Sequence, residues 1–263
     1  MLIAADNLTA CRPSLRRAMR QRDARTVADL CRRTAEAGAQ WLDLNPGYVA
    51  PRERAELWRF LVSAAEAACP LTLMLDAPEP DSLALALTFC TRPPILNMAT
   101  AQPKRLIPVL EMAAAHGLTL VAATMTATVP ADVEGRLSLA ALIVEEAARR
   151  GIAGERLILD PMAMPLALPG GEAHAWAVIS VLRSIPQIFD PPPRTLLAMS
   201  NLTTATAGAR TGFAAAPFLA AAWGAGLTVA MLDVFNAELV RTARLCGVFA
   251  GQRVFAPGEY RQD

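Results

Sequence analysis

Short apolar runs alternate with longer amphipathic segments along nearly the whole chain. The short runs predict eight strands: Leu2–Ala5, Trp41–Leu44, Leu71–Leu75, Pro94–Leu96, Thr119–Ala123, Leu157–Leu159, Thr195–Ala198 and Thr228–Leu232. The longer segments, mostly ended by glycine or followed by proline, predict eight helices: Arg25–Ala37, Arg52–Ala68, Asp81–Thr91, Pro103–His116, Ser138–Arg150, Glu172–Ile185, Phe213–Trp223 and Ala237–Ala250. Such alternation is typical of βα units and a parallel sheet. Eight units without a linker predict one α/β domain over residues 1–263, a single (β/α)8 TIM barrel.

Short polar side chains follow each predicted strand. They are Asp6, Asn7, Asp43, Asn45, Asp76, Asn97, Thr124, Asp160, Ser200, Asn201 and Asp233. The carboxyl ends of barrel strands meet at the face that carries active sites, so these side chains are expected to converge. Any single Asp or Asn is also open to a structural interpretation, because both residues shape turns and cap helices. The group Asp76, Asn97, Asp160 and Asn201 ends strongly apolar runs, and it favours one ligand rich in hydrogen-bonding groups.

Several kinds of catalytic group are missing from these strand ends. The two histidines, His116 and His174, fall at predicted helix ends, so a Ser–His–Asp arrangement cannot be built. The one lysine, Lys104, begins a predicted helix and gives no strand-end Schiff base. The sequence has no clustered metal ligands, so no metal is expected. Gly170 and Gly171 follow a proline and read as a loop before a helix. The site is therefore expected to position a group that arrives already activated.

Composition narrows the class of protein further. The chain has 263 residues, 54% of them hydrophobic, which is enough for a large buried core. A net charge of +1 argues against nucleic-acid binding. Five scattered cysteines predict inert thiols in a reducing compartment. The charge-free stretch Thr211–Leu232 is interpreted as a buried helix, a glycine turn and a buried strand, and the first residues do not form a signal peptide. We expect a cytoplasmic protein without a membrane partner.

Five segments resemble, in order, the pterin-binding methyltransferases: "AGAQWLDLNPG", "LTLMLDAPEPDSLALAL", "PILNMATAQPKRLIPVLEMAAAHGLTLVAATM", "LILDPMAMP" and "LLAMSNLTTAT". The likeness covers essentially the whole chain and is greatest to the methyltetrahydrofolate:corrinoid/iron–sulfur-protein methyltransferases. It implies a dihydropteroate-synthase-like TIM barrel that forms a homodimer. It also implies transfer of the N5 methyl group between methyltetrahydrofolate and a cobalamin (corrinoid) cofactor on a partner protein, in either direction.

The same resemblance implies roles for particular residues. Asp76, Asn97 and Asp160 would hold the amino-pyrimidine edge of the pterin, and Asn201 would approach N5 as the catalytic residue. An amide suits N5 because it can donate or accept as charge develops there. The strand-end residues Ser200, Asp43 and Asn7 are expected to complete the pterin-binding set.

The sequence also departs from the family at the strand ends. The first strand ends in "AADNLTA" where the family has "GERIN" or similar, so Asp6 and Asn7 stand there without an arginine. Ala77 and Met98 replace hydroxyl residues after the third and fourth strands, and Thr204 stands where a glutamine is common. Two alternatives therefore stay open, a non-catalytic folate-binding barrel and a dihydropteroate-synthase-like enzyme. The second uses a lysine near the seventh strand, and this chain has none there.

Overall fold

A computed structural model describes residues 1–204, 212–252 and 254–256. Eight parallel strands close into a barrel in sequential order. They are β1 Leu2–Thr9, β2 Trp41–Asn45, β3 Thr72–Asp76, β4 Ile95–Thr100, β5 Thr119–Ala123, β6 Leu157–Asp160, β7 Arg194–Ala198 and β8 Val229–Leu232. Each predicted strand is present, and β1 closes the barrel by pairing with both β2 and β8. The predicted (β/α)8 fold is confirmed.

Ten α-helices surround the barrel in the described residues. They are α1 Pro13–Gln21, α2 Ala24–Glu36, α3 Pro51–Ala68, α4 Pro80–Leu87, α5 Pro103–His116, α6 Val133–Arg149, α7 Gly171–Ile188, α8 Met199–Thr203, α9 Ala215–Gly224 and α10 Ala237–Phe249. Short 3-10 helices occupy Gly154–Arg156 and Gly212–Ala214. The eight predicted helices are all present, while α1 and α8 were not predicted.

Local chemistry explains where the helices differ from the prediction. Helix α6 starts before the predicted Ser138, because the Asp132 side chain caps it by accepting from the Gly135 N–H at 2.6 Å. Helix α4 stops at Leu87, short of the predicted Thr91. Helix α1 buries only Leu15, Ala18 and Met19, and this stripe is too short to give a clear helical period in the sequence.

The strands are buried on both faces, which explains their nearly continuous apolar runs. One face packs against the helices in a core that includes Leu42, Leu75, Leu96 and Leu159. The other face fills the barrel with a separate cluster of Ala4, Trp41, Met74, Ile95, Val121, Ile158, Leu196, Ala198, Val229 and Met231. The barrel interior is therefore a packed plug, and any ligand site must lie above it at the ends of the strands.

The charge-free stretch that begins at Thr211 has the structure inferred for it where it is described. It forms α9, a turn at Gly226 with a φ of 114°, and the buried strand β8. None of the helices described here has the length and apolar character needed to cross a membrane. The extent of the domain, residues 1–263, stays a prediction.

Candidate functional site

A polar ring lies directly above the apolar plug, and the two-residue period of the strands creates it. Side chains alternate between the two faces of a strand, so the residue two positions after a plug residue also points into the barrel. Five plug residues, Ala4, Trp41, Met74, Ile95 and Ile158, are followed at this spacing by polar residues. These are Asp6, Asp43, Asp76, Asn97 and Asp160. The same spacing on β5, β7 and β8 gives Ala123, Ala198 and Met231, so the ring is polar along β1–β4 and at β6, and apolar at β5, β7 and β8.

A cavity of about 460 Å³ opens above this ring. Its lining residues come from seven of the eight strands and the loops that follow them: Asp6, Thr9, Cys11, Arg12, Asp43, Asn45, Asp76, Asn97, Met98, Asp160, Met162, Leu196, Ala198, Ser200, Asn201, Thr204 and Met231. The four residues that the sequence grouped together, Asp76, Asn97, Asp160 and Asn201, are all among them. The volume is within the range of small-molecule sites.

Two amide–carboxylate pairs form one wall of the cavity. The Asn97 amide donates to Asp43 at 2.9 Å, and the Asn45 amide donates to Asp76 at 2.6 Å. Each pair leaves particular atoms available to a ligand. Asn97 uses its N–H on Asp43 and keeps its amide oxygen, and Asp76 accepts from Asn45 with one oxygen and keeps the other. The wall can therefore accept hydrogen bonds from a ligand without any change of rotamer.

Burial raises the pKa values of the Asp43 and Asp76 carboxyl groups, and for Asp43 a neighbouring negative charge adds to the effect. Burial is the main cause for Asp43, and the nearby Asp76 charge pushes its pKa further above the ordinary range. The pKa of Asp76 is raised to about 6 by burial, against the hydrogen bond from Asn45 and the charge of Arg105. A ligand that brings N–H donors to these oxygens would stabilise their ionised forms.

Asp160 forms the opposite wall at the end of β6. One of its carboxylate oxygens accepts from the Met162 N–H at 2.7 Å, and its backbone carbonyl accepts from the Thr124 N–H at 2.9 Å. Burial raises its pKa to about 7, although the Met162 bond and the charge of Arg136 lower it. Met162 itself has a φ of 63°, which is unusual for a side chain of this size. The turn after β6 is therefore held in a demanding conformation.

Arg136 holds that turn in place. Its guanidinium donates to the carbonyls of Pro161 and Met162, the latter at 2.8 Å, and to the Pro130 carbonyl at 2.9 Å. It also contacts Nδ1 of His174 at 2.7 Å. Burial lowers the pKa of Arg136 to about 10, so it stays charged at neutral pH. Only an arginine has enough donors in a fixed plane to serve all of these acceptors.

We expect Arg136→Met to lower the free energy of unfolding by about 3 kcal/mol or more. Three carbonyls, one buried and two partly buried, would lose their donor, at about 1 kcal/mol or more each. Urea unfolding followed by circular dichroism measures the change. Arg149→Met, on the exposed side of the same helix, is the matched control and should cost less than about 1 kcal/mol. Equal losses in the two variants would contradict the clamp role of Arg136.

The remaining predicted site residues fall into two groups. Asn201 is half-buried on α8 and lines the cavity, and Ser200 lines it from a more exposed position. Asn7 does not line it. It is fully buried, its amide donates to Asp233 at 2.5 Å, and its oxygen accepts from the Val234 N–H at 3.0 Å. Because the side chain of the next residue along a strand points to the other face, Asp6 rather than Asn7 faces the cavity.

Asp6 and Arg12 are cavity residues that were not predicted as binding residues. One carboxylate oxygen of Asp6 is buried without a hydrogen-bond partner among the described residues. Burial raises the pKa of Asp6, opposed by the Ser200 side chain. Arg12 donates to Asp233, the residue that follows β8, at 2.8 Å. The two-residue spacing places Asp6 on the same face of β1 as Ala4, although only the closed barrel shows that this face is the inner one. Arg12 follows β1 in a loop and carries no such signal.

The titration of Asp233 reflects its neighbours. Burial raises its pKa, but the bonds from the Phe235 N–H, Asn7 and Arg12 together lower it below the ordinary value. It therefore stays ionised and holds Arg12 at the rim. In the part of the chain that the structure covers, no three His, Cys, Asp or Glu residues are arranged to bind a metal ion.

A TIM barrel with a polar cavity at the carboxyl ends of its strands defines the class of a small-molecule-binding barrel. Residues 9–233 match the family described as pterin binding enzyme, so the chain belongs to the pterin-binding enzyme family. The predicted family and the dihydropteroate-synthase-like type of barrel are confirmed.

Two kinds of relative accompany this family match. A methylcorrinoid:tetrahydrofolate methyltransferase of Eubacterium limosum is 25% identical over 169 residues, which are 63% of this chain and 62% of that protein. The match thus spans less than two thirds of that relative's length. Dihydropteroate synthase of Yersinia pestis with a sulfonamide drug has a TM-score of 0.70 at 16% identity, covering 96% of this chain and 94% of that one. The enzyme of Xanthomonas albilineans with 7,8-dihydropteroate gives 0.65 at 17%, covering 97% and 93%. At these identities the two structures show the shared fold.

Proposed function

We propose that the protein is a methyltransferase that moves the N5 methyl group between methyltetrahydrofolate and a corrinoid carried by a partner protein, in either direction. The observation that carries this proposal is the convergence of Asp76, Asn97, Asp160 and Asn201 on one cavity. The Eubacterium limosum relative, whose name gives both substrates, supports the choice of reaction.

The donors and acceptors of the cavity suit the flat amino-pyrimidine edge of a pterin. That edge presents adjacent N–H groups, and the carboxylates of Asp76 and Asp160 can each accept from such groups. The amide oxygen of Asn97 is free to accept while its N–H is held by Asp43. Asp43 is therefore proposed to orient Asn97, and Asn7 to position β8 through Asp233 rather than to touch the ligand.

Asn201 is the proposed catalytic residue. Methyl transfer from N5 leaves the bonding electron pair on that nitrogen, so a nearby N–H donor stabilises the charge that develops. In the reverse direction the same amide can accept while N5 acts as the nucleophile. The Asn201 side chain lines the cavity, where its amide can present either a donor or an acceptor to the ligand. Ser200 lies beside it and is proposed to contact the pterin from the rim.

The corrinoid would supply the nucleophile in one direction and the methyl group in the other. The chain's own residues then need only to bind the folate, fix its orientation and stabilise the charge that develops at N5. This fits a cavity built from carboxylates and amides. The homodimer, the corrinoid protein partner and the cytoplasmic location belong to the same proposal.

The dihydropteroate-synthase-like alternative is less favoured, because the segment 194–204 that includes β7 and α8 contains no lysine. The non-catalytic alternative has a specific observation in its favour, since Ala77 and Met98 remove hydroxyls near the cavity. Binding alone would not separate the proposal from that alternative.

A single-turnover assay distinguishes the methyltransferase from the two alternative functions. The protein is mixed with methyltetrahydrofolate and free cob(I)alamin, and the cobalt absorbance is followed. Transfer faster than the protein-free control is the expected result, and the reverse reaction starts from methylcobalamin and tetrahydrofolate. Tight folate binding with no transfer in either direction would instead support a non-catalytic folate-binding barrel. Condensation of p-aminobenzoate with a dihydropterin diphosphate would support the synthase.

A further inference from the structure

We call the cavity above the polar ring the pterin cavity. A second cavity adjoins it on the side of β1 and β2. It is a groove of about 960 Å³, and Cys11 lines both spaces. We call it the α1 groove. Its lining residues are Ala10, Cys11, Arg16, Met19, Arg20, Arg22, Pro46, Gly47, Tyr48, Val49, Glu53, Glu56 and Leu57. The shared Cys11 places the α1 groove directly beside the cavity above the polar ring.

Three arginines follow one another from the pterin cavity along this groove. Arg12 precedes α1 and lines the pterin cavity, while Arg16 and Arg20 line the groove. Arg16 and Arg20 are four residues apart on α1, so their side chains leave the same face of the helix, with Cα atoms about 6 Å apart along its axis. Arg12 is the extended residue just before the helix. The result is a row of positive charge that leads away from the ligand site.

Two of these arginines are free to bind an external anion. The acids that line the groove are already paired, Glu56 with Arg22 at 3.4 Å and Glu53 with Arg52 at 3.5 Å. Arg16 donates from Nε to the Ala10 carbonyl at 2.7 Å, which fixes its direction and leaves its two terminal nitrogens available. Neither Arg16 nor Arg20 forms an ion pair with any residue the structure describes.

An exposed aromatic ring stands in the same groove. Tyr48 is 79% exposed, although it belongs to a loop that is held firmly. The Asn45 side chain accepts from the Gly47 N–H at 2.9 Å, and Arg54 donates to the Val49 carbonyl at 3.0 Å. Asn45 also holds Asp76, so the loop that carries Tyr48 is tied to the wall of the pterin cavity. An exposed ring on a loop whose backbone is held beside a binding cavity is suited to packing against a ligand ring.

We propose that the α1 groove binds the p-aminobenzoyl-glutamate tail of the folate, and that Arg16 and Arg20 favour folates with several glutamates. The inference rests on the proposed function. Tyr48 packs against the benzoyl ring, and the two arginines take the carboxylates that each added glutamate brings. Partly exposed pairs of this kind are individually weak, so the two together give about a three- to tenfold gain in affinity.

The test compares three ligands by calorimetry: tetrahydrofolate with one glutamate, its triglutamate, and a tail-less 6-methyltetrahydropterin. The wild-type protein should bind the triglutamate about three- to tenfold more tightly than the monoglutamate. Arg16→Ala/Arg20→Ala should remove this difference and leave the affinity for the tail-less pterin unchanged. Arg17→Ala is the matched control, because Arg17 is exposed on the same helix but does not line the groove. Arg20→Ala alone breaks no hydrogen bond with any residue that the structure describes, so it should lose part of the difference even if the double variant folds poorly.

Several results would overturn the inference. Equal affinity for monoglutamate and triglutamate would exclude a tail site in the groove. If Arg17→Ala lost the preference for the triglutamate equally, the preference would be a general effect of surface charge. The same conclusion would follow if the double variant kept the preference. Slower methyl transfer to a corrinoid protein, with no change in tail preference, would assign the row of arginines to the protein partner instead. Failure of all three ligands to bind the wild-type protein would contradict the proposed function itself, which keeps the two failures distinct.

Discussion

Replacing Asn201 with alanine is expected to slow single-turnover methyl transfer by on the order of a hundred-fold or more, while folate affinity changes little. With the methyl group attached, N5 is barely basic and the amide meets it only weakly. As the C–N bond breaks, the electron pair moves to nitrogen and the hydrogen bond strengthens. The amide therefore stabilises the transition state more than the bound substrate. The cobalt absorbance gives the rate, and calorimetry gives the dissociation constant.

Thr203→Ala provides the matched control for this experiment. Thr203 lies on the same short helix as Asn201, but it does not line the pterin cavity. Its removal should leave the rate within a few-fold of wild type. If Asn201 only shaped the loop after β7, alanine would lower the melting temperature and spare turnover per folded molecule. A wild-type rate in Asn201→Ala would remove the proposed role at N5.

Replacing Asp160 with alanine should weaken binding of methyltetrahydrofolate about ten- to a hundred-fold. A buried charged acceptor typically contributes about 1.5–3 kcal/mol when its donor is present. Asp81→Ala, at an exposed position in the first turn of α4, should leave the dissociation constant unchanged. Calorimetry at pH 8, where Asp160 is ionised, gives the cleanest comparison. Unchanged affinity in Asp160→Ala would return this residue to a purely structural role in the turn after β6.

The raised pKa of Asp160 also predicts how binding depends on pH. Its pKa is about 7 in the free protein, and only the ionised form accepts two N–H groups. Affinity should therefore be constant well above pH 7 and fall about tenfold between pH 8 and pH 6. The pKa of Asp76, about 6, adds a further loss below that pH, while Arg136 stays charged throughout. Asp160→Asn should remove the change centred near pH 7, and a wild-type profile in that variant would contradict the assignment.

The class of fold and most of the site were predictable from local patterns in the sequence. Strands buried on both faces need continuous apolar runs, and glycine or proline punctuates the helices between them. The carboxyl ends of parallel strands share one face, so Asp76, Asn97 and Asp160 had to lie near each other once the barrel was recognised. Asn201 follows by the same reasoning. These conclusions need only the order and period of side chains along each element.

Other features depend on contacts between distant parts of the chain. Asn7 and Asp6 are neighbours in the sequence, but only the direction of β1 within the barrel decides that Asp6 faces the cavity and Asn7 binds Asp233, 226 residues away. Nothing in the sequence distinguished Arg136 from the other arginines. It reaches the Met162 carbonyl because α6 begins earlier than predicted. The raised pKa values of Asp43, Asp76 and Asp160 likewise arise from burial of each carboxyl group in the folded barrel, which the sequence does not show.

The sequence by itself determined the barrel and the strand-end residues, because both depend on patterns that repeat within a few residues, and five segments carried the resemblance to the family. Tertiary structure alone decided which side chain of each pair enters the cavity, which carboxyl groups share a wall, and where the α1 groove joins it. The physical reason is that side-chain direction and electrostatic environment are set by packing between elements, and packing brings together residues that the sequence holds far apart.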